Sequence, residues 1–198
     1  MHCESPPEGN VALIEYLDVV DENGMPTGET VERSVAHREG FPHRTSHLWL
    51  VRRREGRIQV LLQKRAMTKS YPGCYDISSA GHIPAGQDFY PSAIRELQEE
   101  LGLTAEASEL VPCGDMKIVW DDVFFGIPYH DRQYTRVLLL WADVEESQMT
   151  LQKEEVDAVL WIDLQECMER VAAGTIPNCI SLEELKLVQA AAEASART

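Results

Sequence analysis

Glu96, Glu99 and Glu100 stand at i, i+3 and i+4, a spacing that places all three side chains on one face of a helix. Carboxylates this close repel one another, and each like-charged pair weakens an isolated helix by about 0.2–0.5 kcal/mol. Mg²⁺ or Mn²⁺ would remove that penalty, because hard cations prefer oxygen ligands and bridge to phosphate oxygens. A solvated acidic face has the same spacing, so spacing alone does not decide between the two.

The helix that carries them should begin near Asp88, whose carboxylate can cap free amides, and tolerate Pro91 in its first turn. Ile94, Leu97 and Leu101 repeat at helical spacing and mark a buried face, and Gly102 supplies the C-cap. Before it, Leu13–Val20 reads as a strand closed by a turn at Asp21-Glu22-Asn23-Gly24. His47–Arg53 and Ile58–Lys64 form a hairpin about Glu55-Gly56, and Asp76–Ala80 makes a short strand followed by the loop GHIPAGQD. Further strands are expected around Met116–Trp120, Thr135–Val144 and Val156–Ile162. Two helices follow, one after Asp163 and one over Ser181–Ala194 that opens on the capping-box pattern Ser181-Leu182-Glu183-Glu184. This mixture lacks a regular βαβ alternation, which points to an α/β sandwich around a mixed sheet and away from a doubly wound nucleotide-binding fold. We expect a disordered lead-in over residues 1–10 and one domain over 11–198.

The net charge of −15 disfavours a long nucleic acid as partner. Yet ten of the eighteen Lys and Arg lie between Arg33 and Lys69, where the acidic residues are Glu39 and Glu55. A basic stretch in an acidic chain suits a small anionic ligand, although Arg52, Arg53, Arg54 and Arg57 also read as a solvated hairpin tip. Cys3, Cys74, Cys113, Cys167 and Cys179 are scattered and odd in number, which argues against a disulfide framework or a zinc ribbon and for reduced thiols in the cytoplasm. No apolar run approaches a membrane span, and the first residues lack the pattern of a signal peptide.

Arg95-Glu96-Leu97-Gln98-Glu99-Glu100-Leu101-Gly102-Leu103, with Gly81 at the right distance, resembles the Nudix box, G-x5-E-x7-R-E-U-x-E-E-x-G-U with U aliphatic. The resemblance implies an α/β/α sandwich with a loop-helix-loop metal site in which Glu96, Glu99 and Glu100 are the ligands. One box position departs: the first glutamate falls on Gln87, beside Asp88. In the family that glutamate pairs with the box arginine, here Arg95, so Gln87 implies a neutral hydrogen bond to Arg95 and a weakened site.

Asp18-Val19-Val20-Asp21, Glu22-Asn23-Gly24, His37-Arg38-Glu39-Gly40-Phe41-Pro42-His43-Arg44, Leu61-Leu62-Gln63-Lys64-Arg65, Lys69 and Tyr71-Pro72-Gly73 are similar to the subgroup related to isopentenyl diphosphate isomerase. That likeness implies a second metal site at His37, His43 and His82, and basic residues for the substrate diphosphate at Arg33, Arg65 and Lys69. Two departures speak against isomerisation. The cysteine that delivers a proton falls on Ala80, and the glutamate that removes one, which also completes the histidine site, falls on Gln133; neither residue can move a proton. Cys74 reads as structural.

The expected reaction is therefore hydrolysis of a phosphoanhydride in a small diphosphate-containing molecule such as a nucleoside diphosphate derivative. Mg²⁺ or Mn²⁺ on Glu96, Glu99 and Glu100 is the expected cofactor, and Arg65, Lys69 and Arg33 are expected to clamp the phosphates. Glu99, Glu100, Glu154 and Glu155 are the candidates for general base. No nucleic-acid polymer or membrane is expected as partner, and a homodimer is an allowed assembly. The alternatives are an isomerase-like activity or a Nudix module that binds a ligand without turnover, for which Gln87 and Gln133 speak.

Overall fold

The computed structural model describes residues 14–124 and 126–195. The expected lead-in over 1–10 and Leu13 at the start of the first expected strand lie outside them. Strand β1 (Tyr16–Val20) pairs antiparallel with β2 (Pro26–Glu32) to form a small separate sheet. Their turn closes where expected: Asp21 Oδ1 accepts from the amides of Asn23 and Met25. Helix α1 (Arg33–Glu39) follows. The sequence reading missed it, because at seven residues it is too short for a periodic pattern and no side chain caps its N-terminus.

The main sheet begins with β3 (His43–Arg54) and β4 (Arg57–Arg65), the expected hairpin lengthened at both ends. The expected strand over Asp76–Ala80 splits into β5 (Tyr75–Asp76) and β6 (Ser79–His82). Gly81 and His82 thus belong to a strand and not to a loop, and β6 pairs antiparallel with β3. The long hairpin of β7 (Leu110–Phe124) and β8 (Ile127–Trp141) and then β9 (Val156–Asp163) complete it. The order is β5-β4-β3-β8-β7, with β6 on β3 and β9 on β4. Because β3 and β8 run parallel while the other pairs are antiparallel, the sheet is mixed.

Side-chain alternation along the central strands splits the core in two. Trp49, Val51, Val60, Leu62, Val137 and Leu139 point to one face, where α3 (Leu164–Ala173) and α4 (Leu182–Ser195) cover them through Leu164, Cys167, Leu185, Val188 and Ala192. Leu48, Leu50, Leu61, Leu138 and Leu140 point to the other, where α2 (Phe89–Leu101) packs through Ala93, Leu97 and Leu101. This is the expected α/β/α sandwich around a mixed sheet. Among the described residues no helix is long and apolar enough to cross a membrane.

Helix α2 matches its expected ends. Asp88 accepts from the amide of Phe89, and Gly102 closes the C-terminus with φ 68, a left-handed conformation that costs glycine little. Leu97 and Leu101 are completely buried and Ile94 half-buried. Each buried leucine is worth about 1.5–3 kcal/mol, so packing outweighs the tenths of a kcal/mol lost to carboxylate repulsion. The core therefore holds the glutamates in position.

Candidate active site

One cleft of about 1130 Å³ collects Glu96, Glu99 and Glu100 from α2, Arg33 from α1, Arg65 and Lys69 from the end of β4 and its following loop, and His82 from β6. A shallower depression of about 500 Å³ near Arg53, Arg57 and Asp163 brings together none of these groups. At the hairpin tip, Arg53 and Arg57 are exposed and Arg54 pairs with Asp143 and Glu145, as a solvated tip would have it, whereas Arg52 is largely covered and lies 4.3 Å over the Trp161 ring.

The three glutamates have unlike surroundings. Glu100 is buried and accepts from the amide of Ala80 at 3.3 Å. Burial pushes its carboxyl up to about 8, with the neighbouring Ser79 hydroxyl and the Ala80 amide opposing the effect and Glu96 adding to it. Glu96 lies over Gly81, where an added Cβ would come within 2.3 Å of its Cγ, Cδ and Oε1. Burial also raises the Glu96 carboxyl, against the pull of Arg95. Glu99 is half-exposed and meets Arg95 Nη1 at 2.9 Å. A buried carboxylate is costly unless a cation faces it, and Arg95, 2.8 Å from Glu96, is the cation that this structure supplies. A set of oxygen donors, two of them hindered in ionising by burial, fits a hard divalent cation.

Arg95 does not meet Gln87. The Gln87 side chain is exposed, its backbone carbonyl accepts from Arg44, and Asp88 is engaged at the helix N-terminus. The expected Gln87–Arg95 hydrogen bond is therefore replaced by pairs from Arg95 to the glutamates themselves. An arginine on the helix reaches i+1 and i+4 without crossing to the preceding loop, and Gln87 has no charge to draw it away.

The expected clamp residues line the cleft but are already paired. Arg65 donates to Asp76 at 2.7 Å, to the Ser70 carbonyl at 2.7 Å and to the Ser70 hydroxyl at 2.9 Å. Lys69 pairs with Glu155, and Arg33 with Glu15 at 2.8 Å. Of the later candidate bases, Glu155 lines the cleft, whereas the Glu154 side chain is exposed.

His37, His43 and His82 do converge: a nitrogen from each lies within 4.8 Å of the others. The helix missed in the sequence brings His37 there. All three rings are held below the ordinary imidazole range chiefly by burial, His37 down to about 3, so they are neutral, as metal ligands must be. A carboxylate also completes the group, contrary to the reading of Gln133 as its loss. Asp131 Oδ1 lies 3.5 Å from His43 Nε2 and 3.8 Å from His37 Nε2. His43 Nε2 and Asp131 Oδ1 are both buried without a hydrogen-bond partner, as expected of two atoms that face an ion. Gln133 has a different part: its amide donates to Asp131 Oδ2 at 2.6 Å and orients it. The sequence held this signal, because residues 131 and 133 on one strand share a face. Three imidazoles and a carboxylate suit a transition metal better than Mg²⁺. His43→Gln is expected to lower the Mn²⁺ or Zn²⁺ bound per chain by one ion in elemental analysis, with the Mg²⁺ response retained; unchanged stoichiometry would remove the histidines as a site.

An aromatic wall closes one side of the cleft. Tyr71 packs edge-on against Trp120 and Phe124 and donates its hydroxyl to Asp122, while Tyr129 stacks on His37 at 4.5 Å. Tyr71 has φ 52, which is costly for a residue other than glycine.

The NUDIX domain profile matches residues 42–179. The chain is 33% identical over 153 residues to an uncharacterized Nudix hydrolase of Clostridium acetobutylicum, a match that covers 77% of this chain and 71% of that protein. It is 39% identical over 156 residues to Nudix hydrolase 3 of Arabidopsis thaliana, covering 77% of this chain but 20% of that longer protein. A crystal structure of a Deinococcus radiodurans protein shares the fold with a TM-score of 0.66 at 20% identity, over 87% of this chain and 98% of its own. With the profile spanning well over half of its length and the box residues gathered on one cleft, the chain belongs to the NUDIX domain family.

Proposed function

We propose that this Nudix pyrophosphohydrolase cleaves a phosphoanhydride bond in a small diphosphate-containing molecule, a nucleoside diphosphate derivative being the class in view, with Mg²⁺ or Mn²⁺ held by Glu96, Glu99 and Glu100. The observation that carries the reading is the cleft itself, where buried Glu100 and half-buried Glu96 share one lining with the basic group of Arg65, Lys69 and Arg33. The ion would supply charge neutralisation and a more acidic water. The chain's own residues do the remainder. Lys69 and Arg33 exchange their carboxylates for phosphate oxygens, and Arg65, bracketed by Asp76 and Ser70, offers a fixed charge. Glu155, once Lys69 turns to the substrate, is a carboxylate in the cleft able to take a proton from the attacking water. The same reading puts the enzyme in the cytoplasm, with a small molecule and not a nucleic-acid polymer as substrate; a homodimer remains an allowed assembly.

The cluster of His37, His43, His82 and Asp131 favours kinship with the isomerase-related subgroup, but Ala80 and Gln133 leave that chemistry without its proton carriers. Solvent deuterium is expected not to enter isopentenyl diphosphate above a no-enzyme control, and metal-dependent incorporation would restore the isomerase reading. The occupation of Glu96 and Glu99 by Arg95 supports the third reading, a module that binds without turnover. Cleavage of a panel of diphosphates into phosphomonoester products, with and without Mg²⁺, separates the two. Metal-dependent cleavage is expected; tight binding without cleavage would select the module.

A further inference from the structure

Strand β3 presents His43, Thr45, His47 and Trp49 at period two, so all four point to the same face. His43 joins the histidine cluster, and Thr45 bonds to Gln133 and Thr135. His47 and Trp49 share one partner, Glu184 in the first turn of α4. Glu184 Oε1 is 3.0 Å from His47 Nδ1 and accepts from Trp49 Nε1 at 2.8 Å. Glu184 is 2% exposed, and its side chain therefore does not close the capping box expected for α4. The Ser181 hydroxyl still accepts from the Glu183 amide, but the helix gives its fourth box residue to the sheet.

A buried carboxylate that accepts two hydrogen bonds is a strong orienting group. Burial disfavours charge on His47, yet the Glu184 carboxylate outweighs it and holds the imidazole above its ordinary range. Nδ1 is taken by Glu184. No hydrogen bond within the described residues engages Nε2, and the ring lines the cleft. Arg33, Arg65 and Lys69 around it likewise each meet a carboxylate, so His47 joins them as a further basic side chain of the cleft. The neighbour of His47 across the strand pair is Ala80, whose methyl leaves the space above β6 open and whose amide donates to Glu100. Neighbouring strands lie about 4.8 Å apart, so His47 and the glutamate group flank opposite sides of one short strand.

We propose that His47, oriented by Glu184, is a phosphate-contacting residue of this cleft that donates Nε2–H to a non-bridging oxygen of the substrate's diphosphate. The proposal rests on the reading of the substrate as a diphosphate. A role confined to tying α4 to β3 predicts lost stability and nothing else.

The test uses inorganic pyrophosphate with Mg²⁺ on the full chain. In His47→Gln, which keeps a polar side chain but removes the charge, the pyrophosphate Kd is expected to weaken 10- to 100-fold, the usual range for a charge-assisted hydrogen bond. Glu184→Gln is expected to weaken it by a smaller factor, and KM for diphosphate substrates should rise more than kcat falls. In wild-type protein labelled with ¹⁵N-histidine, the His47 Nε2 resonance is expected to move on adding pyrophosphate and to stay in place with Mg²⁺ alone. That measurement decides the matter if either variant fails to fold. An unchanged Kd in folded His47→Gln, or a resonance that moves with Mg²⁺ alone, overturns the proposal. The two readings fail separately: wild type that cleaves no diphosphate into phosphomonoester products sinks the hydrolase reading, whereas normal cleavage with an unaltered Kd in His47→Gln sinks the role of His47.

Discussion

Glu100→Gln is expected to abolish Mg²⁺-dependent cleavage of diphosphates and, in the same protein, to raise the melting temperature measured in a chelator. The second effect follows from burial. The Glu100 carboxyl is pushed up to about 8 in the folded chain, from an ordinary value of 4.5. Between those values the folded state holds a proton that the unfolded state has released, so stability falls as pH rises through this window. By pH 7.5 the loss is on the order of 3–4 kcal/mol, worth roughly 5–15 °C in a chain of this size. Glutamine keeps an oxygen for the Ala80 amide and has nothing to ionise. Melting curves from pH 5 to 8.5 should therefore diverge, wild type falling below the variant as pH rises. Parallel curves would mean that Glu100 is not held in an apolar setting. A full Mg²⁺-induced rise in melting temperature in the variant would place the metal elsewhere.

Gly81→Ala is expected to lower the rate of diphosphate cleavage by about 100-fold or more while the protein still folds. A methyl group at this position comes within 2.3 Å of Glu96, so the glutamate must move. The backbone of Gly81 is not in the left-handed region, so alanine itself fits the strand. Overpacking of this kind costs about 1–3 kcal/mol. A displacement of about 1 Å in a group that positions the reactants costs on the order of 100-fold in rate. Activity and melting temperature measured side by side check both halves of the expectation. Activity within threefold of wild type would show that the position of Glu96 over β6 does not matter to the reaction.

The box was legible because its residues act within one helix and one glycine, and helical spacing carries local information directly. Leu97 and Leu101 told which side faces the core, and Asp88 and Gly102 told where the helix starts and stops. The two poorest readings concern side chains whose partners lie far away in sequence. Gln87 was paired with Arg95 from the family pattern, while the geometry of the helix turns Arg95 onto its own glutamates. Glu184 fitted a local capping rule, yet the pull of two buried donors on β3 is stronger than that of one amide at a helix end. Asp131 precedes Gln133 by two residues, and the strand face they share keeps there the charge that position 133 lacks. Helix α1 left no pattern to read, and with it went the means by which His37 reaches the cluster.

The bond between His47 and Glu184 joins residues 137 apart, that between Thr45 and Gln133 residues 88 apart, and β3 lies parallel to a strand some 90 positions downstream. Closing such loops costs chain entropy before any contact compensates for it, and folds dominated by non-local pairing form slowly. The cleft draws its lining from all of these distant segments, so it is complete only when they have come together. A molecule that binds the completed cleft and not the unfolded chain favours the folded state by mass action. Occupancy of the cleft then raises the share of chains that stay folded.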